Sequence, residues 1–395
     1  MKDFEKLKIK LNSLVIFRSL LSKKTIKALG ELLSSDMKEH QTAVKIYSEF
    51  VLRLFMHSEN FSEYILKYML EDDNIYMRAC CKNTKISESL NECLNYEISV
   101  LSELSKLSSK DITDKMAYDD YLPTWTNSDY DLKEIYLKRI NDLPKHGFGI
   151  YARYHVFVLK DGAISPVKYP DPQKISELSG YDRERNLIIN NTKALLSGKQ
   201  SSNVLLYGDA GTGKSSTVKA ICNEFKDEGL RLLEVKKNQL YQIPDIVDKL
   251  SFNPLKFILF IDDLSFSSND NDFAALKAIL EGSVGGKASN VLVYATSNRR
   301  HLIKENFEDR QGTEIHLSDT LQELMSLSAR FGLKVTFSKP DKDLFEQIIT
   351  SLAKMHDIDM DTETLMIRAE AHALRNGGRS PRVAKQFIEQ LKTIL

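Results

Sequence analysis

The chain has 395 residues, 42% of them hydrophobic, with 55 basic and 55 acidic side chains and a formal net charge of +0. That length holds two or three domains with real cores, and the balanced charge gives no global signature of a nucleic-acid or membrane-surface binder. No run approaches the ~20 apolar residues of a spanning helix, and the first eight residues lack a signal-peptide core, so a cytoplasmic protein without a membrane partner is expected.

From residue 11 to about 112 apolar side chains recur at three-to-four spacing. Leu14, Phe17, Leu20 and Leu21 begin the pattern, Tyr47, Phe50, Val51 and Leu54 continue it, and Leu94, Ile98, Leu101 and Leu104 end it. This predicts an all-helical domain over 1–121. Its first thirty residues carry Lys2, Lys6, Lys8, Lys10, Lys23, Lys24 and Lys27; a solvated helix face and a partner or nucleic-acid contact are both open readings. Cys80, Cys81, Cys93 and Cys222 have no paired C-x-x-C spacing, which favours buried thiols over a metal site.

Residues 122–174 read as a linker with a hairpin. The stretch 122–129 is turn-rich, 151–159 alternates as a strand, Asp161-Gly162 is a two-residue turn signal, and 163–169 returns as the partner. Pro170 and Pro172 close it. From 175 strands alternate with helices, which argues for a parallel sheet. Strands are predicted at 204–207, 232–235, 257–261, 291–295 and 333–337, giving an α/β core over 175–338. Beyond Pro340, helices at 344–355, 363–375 and 381–394 form a C-terminal helical lid over 339–395.

The core's first strand runs through Gly208-Asp209-Ala210-Gly211-Thr212-Gly213 into Lys214-Ser215-Ser216 and a helix. That is the order of a P-loop. Its glycines permit backbone conformations in which successive N–H groups surround a phosphate, and the helix N-terminus adds positive potential. Lys214 can reach the β- and γ-phosphates of ATP, and the Ser215 hydroxyl can take one Mg²⁺ position. The strand at 256–261 ends in Asp262-Asp263: Asp262 is placed to hold Mg²⁺ through water and Asp263 to polarise an attacking water. A second buried strand ends in Thr296-Ser297-Asn298, where Asn298 can hydrogen-bond a γ-phosphate without adding charge.

Together with Arg330 in 327–333 and Arg382 in 377–384, these residues resemble the AAA+ ATPases over roughly 175–395. Their wording resembles, more narrowly, a bacterial family of AAA+ ATP-binding proteins whose members lack an assigned function. The resemblance implies an α/β P-loop NTPase with a helical lid, using ATP and Mg²⁺ and yielding ADP. It implies Walker A at 208–215, Walker B at 257–263, sensor 1 at Asn298, sensor 2 at Arg382, and an arginine finger at Arg330, with Arg310 as rival. It also puts Tyr181 beside the adenine. A homo-oligomeric ring or arc is the implied assembly, with a protein client held by the N-terminal helices.

Two departures qualify this. The residue after the Walker B aspartate is usually Glu in that superfamily and here is Asp263, which predicts slow hydrolysis. The stretch 236–241 lacks the aromatic-glycine pore loop of unfoldases; Tyr241 reads as a packing residue, and threading of polypeptide is disfavoured. Three functions remain: an assembling ATPase that remodels a partner, a slow nucleotide-dependent switch or loader for a protein or nucleic acid, and a phosphotransferase. The third lacks a recognisable acceptor pocket.

Overall fold

The computed structural model describes residues 3–82, 85–116, 118–264, 276–277, 280, 288–298 and 329–394. They divide into two units, Met1–Arg153 and Tyr154–Leu395.

The first unit contains helices α1 (Phe4–Asn12), α2 (Lys24–Leu32), α3 (His40–Phe55), α4 (Phe61–Glu71), α5 (Ile75–Cys81), α6 (Glu88–Ser105), α7 (Ser109–Thr113), α8 (Leu132–Asn141), α9 (Leu143–His146) and α10 (Ile150–Arg153). Asp3, Asn60, Asn74, Ser87, Ser108 and Asp131 start six of them. Each side chain accepts the amide three residues on, satisfying a donor that the helix itself leaves orphaned. Trp125, the chain's single tryptophan, lies edge-on to Phe50 at 5.1 Å and donates its indole N–H to the Leu107 carbonyl at 2.9 Å. The stretch after Leu122 is therefore part of this core. Glu97, in the middle of α6, is buried, and its carboxylate accepts the successive amides of Val15, Ile16 and Phe17 at 2.6–3.0 Å.

The second unit is built on a seven-stranded sheet: β1 (Val156–Lys160), β2 (Ala163–Pro166), β3 (Val204–Gly208), β4 (Leu230–Glu234), β5 (Lys256–Ile261), β6 (Val291–Ser297) and β7 (Leu333–Phe337). Its order is β2-β1-β4-β5-β6-β3-β7. Among the described residues only the β1–β2 pairing is antiparallel; Asp161 and Gly162 make its turn, both at positive φ (49° and 75°), as a two-residue hairpin requires. Helices α11 (Asp182–Leu196), α12 (Lys214–Phe225) and α13 (Ile243–Ser251) belong to the core, and α14 (Lys342–Met355), α15 (Thr362–Arg375) and α16 (Pro381–Ile394) follow the last strand. All seven residues of β6 and five of the six in β5 are buried, as in a sheet covered on both faces. The fold is that of an α/β P-loop NTPase with a helical N-terminal region and C-terminal helices.

Residues 122–174 are shared between the units, with α8 to α10 in the first and the hairpin in the second. Residues 151–153, expected to begin the strand 151–159, lie in α10 instead. Alternation cannot separate a short amphipathic turn from the start of a strand. Tyr241, expected to pack, is 67% exposed on a 3₁₀ turn over Lys237–Gln242. No described helix is long and apolar enough to cross a membrane.

Candidate functional site

The sheet's strand order reverses around β3: its neighbours β6 and β7 both come later in the chain. Parallel sheets leave a crevice at the carboxyl ends of the strands at such a point. A cavity of about 940 Å³ lies there, lined by Ala210 to Ser216, Asp262, Asp263, Thr296, Asn298 and Arg382.

The loop after β3 holds its shape through glycine. Gly208 (φ 133°) backs directly onto β7, where a β-carbon would lie 2.2 Å from the Phe337 carbonyl oxygen. Gly211 (φ 77°) and Gly213 (φ 91°) follow in conformations that side chains rarely adopt. Thr212 donates its hydroxyl to the Asp209 carbonyl at 2.8 Å. Lys214 opens α12 and is only 5% exposed, with its ammonium donating to the carbonyls of Gly208 at 3.0 Å and Asp209 at 2.7 Å. Burial pulls this amine below its ordinary value; Asp209, Asp263 and Asp262 oppose that, and Arg382 adds to it. Asp209 itself turns away from the cavity. Its carboxylate accepts the Lys339 amide at 2.7 Å.

Across the crevice, a polar network links the first turn of α12 to the ends of β5 and β6. Ser215 Oγ donates to Asp262 Oδ1 at 2.6 Å, and Thr296 Oγ1 donates to the same oxygen at 2.5 Å. Thr296 Oγ1 in turn accepts the Asp263 amide at 2.9 Å, and Asn298 Nδ2 donates to Asp263 Oδ1 at 2.9 Å. Asp263 sits at φ 52°, a left-handed conformation that aspartate tolerates better than most residues. The hydroxyl of Ser215 and the carboxylate of Asp262 are hard oxygen donors within hydrogen-bond reach of each other, a set that suits Mg²⁺.

From the C-terminal helices, Ser380 caps α16 by accepting the Val383 amide at 3.2 Å, and the Arg382 amide donates to Gly211 O at 3.1 Å. The Arg382 side chain is exposed on the cavity wall. Arg379 is held instead by Glu370 at 2.8 Å, within the lid. Apolar side chains of Leu178, Ile348, Leu352 and Met355 also line the cavity.

The structure brings Lys214, Ser215, Ser216, Asp262, Asp263, Asn298 and Arg382 to one cavity, turns the anticipated Asp209 side chain to Lys339 instead, and leaves Tyr181 and Arg330 away from the cavity. Tyr181 does not line it: its ring is buried against Phe337 at 5.3 Å and its hydroxyl donates to Ser338 O. Arg330 precedes the amino end of β7, where Leu333 pairs with Val204, whereas the phosphate loop follows the carboxyl end, where Phe337 pairs with Gly208. Those four rises alone put roughly 13 Å between the two levels. Arg310 lies outside the described residues.

Sequence reasoning missed Thr296, the hub of the network, and Lys385, which lines the cavity one turn beyond Arg382. Ile261 registers with Ala295, so the next residues of the two strands, Asp262 and Thr296, meet beside the loop; no local sequence pattern carries that register.

The family model described as protein of unknown function (DUF815) matches residues 152–394. The replication factor C large subunit of Staphylothermus marinus is 32% identical over 122 residues, 29% of this chain and 28% of that subunit. The Holliday junction branch migration motor RuvB of Thermotoga maritima aligns with a TM-score of 0.38 at 17% identity, covering 56% of this chain and 65% of RuvB. A second RuvB structure from the same organism gives 0.39 at 16%, covering 57% and 66%. The chain thus spans less than two thirds of the length of these relatives.

Proposed function

The chain belongs to the family described as protein of unknown function (DUF815), and we propose that it is an AAA+ ATPase that binds ATP with Mg²⁺ and hydrolyses it, coupling that cycle to subunit assembly and to remodelling of a partner. One observation carries this reading: Lys214, the Ser215–Asp262 pair, the Asp263–Asn298 pair and Arg382 come from four separate stretches and meet at a single cavity.

In this reading Ala210 to Gly213 offer backbone N–H groups to the phosphates, and Lys214 leaves its loop carbonyls for the β- and γ-phosphate oxygens. Ser215 and Asp262 hold Mg²⁺, whose chemistry is to neutralise charge on the phosphate oxygens. Asp263 receives a proton from, or orients, the attacking water, and Asn298 fixes the Asp263 carboxylate while facing the γ-phosphate. Arg382 contacts the nucleotide from the lid. Arg330 acts on the site of a neighbouring copy, an assignment supported by its remoteness from its own. The unit at 1–153 would then serve as partner holder, with 175–338 as ATPase core and 339–395 as lid.

The runner-up is a slow switch or loader whose partner binding follows ATP occupancy. The Asp263 geometry favours it: the carboxylate is one methylene shorter than Glu, and one of its oxygens is engaged by Asn298. A nucleic-acid partner, the sharper reading of the N-terminal lysines, is tested by the salt dependence of binding.

The deciding experiment is ATP hydrolysis per subunit across a wide range of protein concentration, with Lys214→Ala as blank. A rate that climbs and saturates supports a site completed between copies; a rate at the blank throughout, with ATP bound, favours the switch; no binding of ATP refutes both. Asp263→Glu is expected to lower turnover about tenfold, because the left-handed turn and Asn298 are built around Asp. A faster Glu variant refutes that.

A further inference from the structure

The segment that joins the sheet to the lid is fastened to the phosphate loop. β7 ends at Phe337, and α14 begins at Lys342 after its cap Asp341. Asp209 grips the stretch between them twice, donating its amide to Phe337 O at 3.1 Å and accepting the Lys339 amide on Oδ2 at 2.7 Å. Tyr181 closes the other side through Ser338 O at 2.5 Å. Two residues along the loop, Gly211 O accepts the Arg382 amide at the start of α16. The lid is thereby held at its entry and at its last helix by the same short loop.

The Asp209 peptide also takes part in the lysine's resting contact, since Lys214 donates to Gly208 O and Asp209 O. When the ammonium turns to a phosphate, those two carbonyls lose charge-assisted bonds, and the peptides carrying them are free to reorient. Gly208 has no room to absorb the change alone, because it lies against the Phe337 carbonyl. The displacement passes to Asp209 and, through its carboxylate, to Lys339.

We propose that Asp209 is a positioning residue that couples phosphate occupancy of the loop to the lid hinge at 338–341; this rests on the nucleotide-binding reading. The residue type follows from the geometry. A proline here would lack the amide given to Phe337, and an alanine would lack the acceptor for Lys339. Two elements that both bias one hinge satisfy the physical requirement for coupling, which spatial proximity alone does not.

The test is hydrogen exchange on the intact protein, reading peptides across 338–341 and 380–384 without nucleotide and with saturating ADP. Occupancy is first established by fluorescence titration with a labelled ADP. In the wild type, nucleotide should slow exchange at both peptides by about tenfold, and in Asp209→Ala the slowing should fall below about twofold at full occupancy. Asp209→Asn, whose amide oxygen still accepts from Lys339, should restore it. Tyr181→Phe should speed hinge exchange in both states and leave the nucleotide-dependent difference in place. An Ala variant that keeps the wild-type difference overturns the proposal, as does an Asn variant that loses it. A wild type that binds ADP without any change at 338–341 overturns it without recourse to a variant. Failure of the wild type to bind ADP in the titration instead refutes the nucleotide-binding reading.

Discussion

Thr296→Val isolates the polar network from the rest of the site. The substitution keeps the shape of a 2% exposed side chain and removes one hydroxyl, which accepts the Asp263 amide and donates to Asp262 Oδ1. Asp262 keeps its bond from Ser215, so the larger effect falls on Asp263, whose amide loses its partner in a left-handed turn. Stranding such a donor costs about 1–3 kcal/mol. For a unit of this size that lowers the melting temperature by roughly 2–4 °C per kcal/mol. Relaxation of the turn also moves the Asp263 carboxylate, and a displacement near 1 Å lowers turnover by about a hundredfold. Nucleotide affinity should change only a few-fold, because Lys214 and the loop are untouched. The assay is steady-state ATP hydrolysis beside labelled-ADP binding, with Thr296→Ser as the variant that retains the hydroxyl. Wild-type turnover in Thr296→Val would refute the reasoning, as would equal loss in Thr296→Ser.

Three further outcomes follow from the structure. Glu97→Ala strands the amides of Val15, Ile16 and Phe17, and should cost the first unit about 3–5 kcal/mol; denaturation followed by Trp125 fluorescence reads that unit alone, and an unchanged midpoint would count against it. Gly208→Ala should prevent the second unit from folding, since its β-carbon meets the Phe337 carbonyl at 2.2 Å, while the Trp125 transition persists. Burial chiefly holds His155 below its ordinary value of 6.5, with its ring against Asn223 Oδ1 at 3.0 Å. The unfolded chain therefore takes up the proton first as pH falls, so stability drops on the acid side of about 6.5; His155→Gln should flatten that slope in melting temperature between about pH 5 and 7.

The strands of the core were legible because a sheet buried on both faces writes itself as continuous apolar runs. The strand at 333–337 coincides with β7, and the run from 204 needed only Gly208 added. The strand at 232–235 was displaced: β4 begins at Leu230, directly after the turn at Gly229, and Val235 lies beyond its end. The loop glycines and Lys214 were legible because their chemistry demands those residue types at that spacing. What stayed hidden depends on neighbours far along the chain. No local pattern says that β1 joins β4, that Thr296 stands beside Asp262, or that Glu97 collects three amides some eighty residues away. Tyr181 misled for the same reason: an aromatic near a glycine reads the same whether it faces a cavity or a core.

In the role proposed for it, as a finger for a neighbouring copy, Arg330 would give the subunit a direction. A surface that offers an arginine and a different surface that offers a loop make a head-to-tail contact, in which the two faces are never interchangeable. If that arginine completes a neighbour's site, a closed ring of n copies has n complete sites, whereas an open arc has one fewer, with a terminal subunit that binds nucleotide and cannot turn it over. Stoichiometry of active sites to bound nucleotide would then report whether the assembly closes, without any image of it.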